Sequence, residues 1–158
     1  ARFVGADRGL KRLSLYRVAD VPLLPAVTVK AGTPASAARA TAAGANAREV
    51  LVLDAEDRPV GWLMREDMPG EGVVSVEMAD PSSPTMDRRT TLKDALSMLL
   101  DHDVQSGIVI DRGGHLRGLL TVQAVMDWMR DERARAAGDP DAPAAEPGLD
   151  ADDADDPA

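Results

Sequence analysis

The residues best placed to do chemistry stand at the ends of two short apolar stretches. In "LRGLLT", Arg117 adjoins Gly118, and Thr121 follows three places on, just ahead of a helical pattern. In "PVGWLM", Gly61 holds the same place, Met64 replaces the threonine, and Asp67 follows after three more residues. A hydroxyl and exposed N–H groups at a helix start suit an anion, and a first-turn carboxylate adds one oriented acceptor. The plainer reading makes Thr121 an N-cap and Asp67 an acid favoured by the helix dipole. The sequence leaves both open. No nucleophile stands beside a base, so catalysis is not expected. "DHD", Asp101 to Asp103, suggests a metal at first sight, but adjacent helical residues point in different directions. No metal site is expected there: His102 reads as a polar residue closing a helix, and His115, in a turn, as solvated.

The two glycine stretches belong to a longer repeat. Sliding the chain by 57 residues pairs Thr28 with Thr85, Ala38 with Ala95, Val52 with Val109, Asp54 with Asp111, Gly61 with Gly118 and Leu63 with Leu120. Each copy opens with a short extended lead-in and a threonine before a helical run, Ala35 to Ala45 or Leu92 to His102. Thr33 is followed by Pro34 at the expected first helical position, and Asp94 is placed to partner Thr91. A β-branched stretch follows, "EVLVLD" or "GIVID", then a turn and a second strand. A last helix is cut short at Pro69-Gly70 in the first copy and runs from about Val122 to Arg135 in the second. The second copy is the bulkier, with Leu96, Met98, Leu99 and Leu100 against Arg39, Thr41, Ala42 and Ala43. One copy alone is near the lower size limit for independent folding, so the two are expected to pack together.

Composition excludes several classes. The 158 residues hold 44% apolar but only 3% aromatic side chains, so Val, Leu, Ile, Met and Ala must build the core. There is no cysteine, which rules out disulfides and thiolate metal sites and fits a reducing cytoplasm. No stretch is long enough for a membrane span, and an opening Ala instead of Met suggests a piece of a longer chain. The net charge of −9 is uneven: residues 136–158 carry eight acids and no base, leaving 18 basic against 19 acidic residues elsewhere. The first eighteen residues are basic, with Arg2, Arg8, Lys11, Arg12 and Arg17 against Asp7. A balanced body with few aromatics does not favour nucleic acid. The Pro-, Ala- and Asp-rich tail is expected to be disordered. It is either a solubilising end or a salt-screened partner for a basic surface.

A duplicated helix-strand-strand-helix unit with this glycine resembles a tandem CBS-domain pair, the Bateman module. The resemblance rests on "TTLKDALSML", "IVIDRGGHLRGLLT" and its echo "LVLDAEDRPVGWLM". The head "FVGADRGLKRLSL", Phe3 to Leu15, is similar to the stretch joining the ATPase to the CBS pair in ATP-binding subunits of quaternary-amine importers. The first likeness implies an α/β fold of two repeats packed with pseudo-twofold symmetry. The expected division is a linker 1–18 from an absent ATPase, repeats 19–72 and 73–135, and the tail 136–158. It further implies a homodimer, with membrane permease subunits reached through the ATPase at the inner face of the membrane.

The family's binding motif, G-x-x-[ST]-x-x-D, gives phosphate a hydroxyl and ribose a carboxylate. Here it is split: Gly118 and Thr121 are followed by Ala124, and Gly61 and Asp67 enclose Met64. The likeness also implies cyclic di-AMP or an adenine nucleotide as effector, with no covalent cofactor. Thr85, Val109 and Leu119 are the candidate walls and Arg117 the phosphate partner, although a solvated Arg is the plainer reading of the last. The implied function is a ligand-sensing regulator of an osmoprotectant importer, with ionic strength as a second signal. The rival is a dimerisation scaffold with decayed sites.

Overall fold

The computed structural model describes residues 2–102 and 104–138. The 57-residue shift maps its elements onto one another. In the first half come β1 (Thr28–Lys30), α2 (Ala35–Gly44), β2 (Glu49–Leu53) and β3 (Pro59–Met64). In the second come β4 (Thr85–Asp87), α3 (Leu92–Asp101), β5 (Ser106–Ile110) and β6 (Leu116–Thr121), followed by α4 (Val122–Gly138). Each sheet has three strands, in the orders β1-β2-β3 and β4-β5-β6, with the outer parallel pair and the hairpin in the same register. Even the irregularity recurs, between Val52 and Leu53 and between Val109 and Ile110. This is the α/β architecture of two equivalent halves that the repeat implies.

The halves differ where their side chains differ. Thr91 caps α3, its Oγ1 accepting from Asp94 N–H at 3.1 Å. At the equivalent place Pro34 is itself the N-cap of α2, with ψ of 139°, rather than the first helical residue expected. In the second half α4 runs for 17 residues. In the first, Arg65–Asp67 make one 3-10 turn before Pro69, because proline disfavours helical backbone at the residue before it.

An element not anticipated precedes both halves. Residues 1–18, read as a linker, hold helix α1 (Arg2–Leu15), which packs against α3. Its C-terminal neighbour Tyr16 meets Trp128 of α4 edge-on, ring centroids 4.7 Å apart, and its hydroxyl donates to Glu132 at 3.4 Å. Burial and the Glu132 charge raise the Tyr16 pKa.

The cores cross the repeat boundary. Val18 and Val21 lie in the second half's core with Met86, Leu92, Leu99, Leu120, Val125 and Met129. Val18 N–H donates to Thr90 O at 2.9 Å and Leu92 N–H to Tyr16 O at 2.9 Å. Conversely, Val74 lies in the first half's core with Val29, Val50, Val52 and Leu63, and Gly32 N–H donates to Val74 O at 2.7 Å. Each half is completed by the segment leading into the other. The hairpin tips meet too, Arg58 Nε donating to Gly113 O at 3.0 Å. Residues 139–158, most of the acidic tail, lie outside the described residues.

Candidate ligand site

Side chains alternate across a strand, and that parity sorts the candidate residues. On β6, Gly118 and Leu120 face the core, while Arg117, Leu119 and Thr121 face the other way. β5 pairs Ile108 with Leu119 and Val109 with Gly118, and β4 pairs Thr85 with Ile108. Thr85, Ile108 and Leu119 therefore form one row across the sheet, flanked by Arg117 and Thr121. Val109 stands on the opposite face, fully buried in the core. Its expected role as a ligand wall is thus corrected: strand parity gives its place in the row to Ile108, which is itself only 2% exposed. Counting in twos from Leu119 through the hairpin would have found it.

The row is partly spoken for. Leu24 crosses its edge, donating to Leu119 O at 2.9 Å and accepting from Leu119 N–H at 2.8 Å. This crossing accounts for Gly118, whose φ is +152° and whose Cβ would come within 2.8 Å of Leu23 Cβ. Gly61 plays the same part: its Cβ would fall against Asp80 O, and Trp62 and Asp80 exchange backbone hydrogen bonds at 2.9 and 2.7 Å. The recurrent glycine is explained by a crossing strand segment. A phosphate is not needed to account for it.

Thr121 caps α4, its Oγ1 accepting from Ala124 N–H at 2.9 Å. Val122 N–H goes to Gln105 O at 3.0 Å. What remains for an anion at this helix start is Gln123 N–H and the Thr121 hydroxyl hydrogen. Arg117 is exposed and near Asp111. Asp111 organises the hairpin, its Oδ1 accepting from Gly113 and His115 N–H at 2.9 Å each. Burial alone would raise the Asp111 pKa, but these bonds and the nearby His115 and Arg117 outweigh it, and the net shift is downward. Asp54 accepts from Glu56 and Arg58 N–H in the same way and is likewise lowered, chiefly by the Arg58 bond. Asp67 lies apart from the row, exposed at the end of the first half's 3-10 turn.

The remaining motif residues are structural. His102 is the C-cap of α3, its Nδ1 2.8 Å from Met98 O. Asp103 lies outside the described residues. His115, expected to be solvated, is half-exposed, its Nδ1 3.5 Å from Asp111. Among the described residues no group of three His, Asp or Glu side chains could hold a metal. None of the described helices is long and apolar enough to cross a membrane.

Two like halves, each completed by the other's lead-in and joined at their hairpins, give the chain the fold seen in solved CBS-domain structures. Residues 74–131 match the family model of the CBS domain, a regulatory, non-catalytic module. The chain is similar to the osmoprotectant import ATP-binding protein OsmV of Salmonella typhimurium, 27% identical over 136 residues, 85% of this chain and 36% of that protein. It thus spans about a third of the curated relative's length. The fold is shared with CBSX2 solved in complex with AMP: TM-score 0.60, 23% identity, 75% of this chain and 98% of that one. It is shared also with Staphylococcus aureus OpuCA: TM-score 0.54, 18% identity, 69% and 94% coverage.

Proposed function

We propose that this chain is the regulatory part of an ATP-binding subunit of an osmoprotectant importer, at the inner face of the membrane. In this reading an ATPase domain precedes it and couples it to permease subunits. The observation that carries the reading is the similarity to the Salmonella osmoprotectant import protein along 85% of the chain. The effector is cyclic di-AMP or an adenine nucleotide, lodged against Thr85 and Leu119, the accessible ends of the row, with its phosphate at Arg117 and Thr121. It biases two arrangements of the attached ATPases only through its differential affinity for them. The AMP complex of the CBSX2 structure supports the ligand class.

One observation favours the rival scaffold reading. The Thr121 oxygen and two first-turn N–H groups of α4 are already engaged, and Ala124 supplies no carboxylate for ribose. Calorimetry with cyclic di-AMP, ATP and AMP separates the two. The sensor binds at least one saturably, and Arg117→Ala weakens it about tenfold, the size of one charge-assisted hydrogen bond. Thr121→Ser retains binding and Thr121→Ala reduces it. No heat with any of the three leaves the scaffold, whereas equal affinity in the Arg117→Ala protein overturns the site at Arg117 and keeps the sensor.

A further inference from the structure

The short 3-10 turn of the first half leaves a feature that the second half lacks. In the second half Leu96 packs against the core built with Val125 and Met129 of α4. In the first, Arg39 occupies the place of Leu96, and the chain turns away after Met68. The Arg39 guanidinium donates to the Pro69 and Gly70 carbonyls instead. An open groove of about 570 Å³ results, lined by Arg39, Ala43, Arg48, Met64, Arg65 and Glu66. Three arginines and one glutamate thus line one concave surface. Arg48 and Arg65 are exposed and joined through their backbones, Arg65 N–H donating to Arg48 O at 2.7 Å. Among the described residues neither forms an ion pair.

The complementary charge is in the same chain. Residues 139–158 carry eight carboxylates, no cation, and several Ala and Pro side chains suited to Ala43 and Met64. We propose that this groove holds the chain's own acidic C-terminal segment. Reach is not limiting: twenty residues span up to about 66 Å, whereas a 138-residue domain has a radius of gyration of about 14 Å. Tethering supplies the segment at an effective concentration on the order of millimolar, so contacts too weak for a free peptide suffice. Three other arginines compete less well. Arg130 and Arg135 are paired with Asp127 and Glu132 on their own helix at 3.3 Å each, and Arg12 has buried nitrogen atoms. The inference is independent of nucleotide binding, because the groove lies in the first half and the Thr121 row in the second.

The absence of cysteine makes the test direct. A spin label on Ala154→Cys in the full chain should broaden the amide signals of residues 39–48 and 64–66 several-fold more than those of α3. Raising salt from about 0.1 M to about 1 M shortens the screening length from about 10 Å to about 3 Å and should restore the signals. Arg48→Glu with Arg65→Glu should do the same at low salt, with the thermal midpoint unchanged because both side chains are exposed. Arg39 is left in place since it holds two carbonyls. Broadening that is uniform, confined to α1, or indifferent to the charge reversal overturns the proposal. So does broadening seen only when labelled chain is mixed with a second, isotope-labelled copy. Inorganic phosphate that shifts the groove signals while leaving the broadening intact also overturns it.

Discussion

Gly61 and Gly118 are the residues through which the repeat is most easily seen, and their physical role was the least legible. A glycine three places before Thr121 suggests a ligand approaching the backbone. The atoms that approach are the chain's own, Asp80 at one glycine and Leu23–Leu24 at the other. Nothing in a linear sequence marks which distant segment will cross a strand edge. Gly61→Ala places Cβ against a backbone carbonyl with no flexible side chain to yield. The Trp62–Asp80 bridge must then open or the strand must shift. The expected loss is about 1–3 kcal/mol, read as a lower denaturant midpoint. Gly44→Ala, with nothing within 4 Å of its added Cβ, is the control and should be neutral or slightly stabilising. Equal effects at both positions would remove the close-approach explanation. Val109 makes the complementary point: its residue type was suitable for a wall, but strand parity placed it on the other face.

At the scale of elements, nearly everything inside a repeat was legible. Hydrophobic period, turn residues and the shared Asp54 and Asp111 hairpin caps all recur at one spacing. The connections between repeats were not. Their equivalence runs at a different offset: Leu24 meets Leu119 and Asp80 meets Trp62, so the crossing residues stand 56 apart while their partners stand 57 apart. A gapless comparison misaligns them. Helix α1 was missed because it precedes the repeat and has no counterpart 57 residues on; its partner is α3, far along the chain. These crossings imply that a change in one lead-in acts on the other half. Val18→Ala removes two buried carbons from the core of α3 and β4–β6, although Val18 precedes β1 in sequence. At roughly 0.8 kcal/mol per methylene plus a cavity contribution, the loss is about 2 kcal/mol. Hydrogen exchange should show it mainly in β5 and α3, with β2 and β3 less affected. Equal losses in both sheets would show that the halves open only together.

At the scale of the whole molecule, the pseudo-twofold pairing covers one face of each sheet but leaves the helices outside. Leu51 and Ile108 lie opposite the core faces of their sheets and are still 0% and 2% exposed, as expected when halves rather than single sheets are the packing units. On the outer layer, Leu100 of α3 is 73% and Met126 of α4 51% exposed, and the two helices are in contact. Large exposed apolar side chains on two packed helices favour a protein surface over water. A homodimer, which the resemblance to tandem CBS pairs implies, would cover them. Sedimentation velocity should then give a species of twice the chain mass, and Leu100→Glu with Met126→Glu should convert it to the monomer. Both substitutions are at exposed positions, so the monomer should keep its far-ultraviolet dichroism. A charge-substituted protein that still sediments as a dimer would place the interface elsewhere. A wild-type chain that is monomeric at high concentration would reject the homodimer.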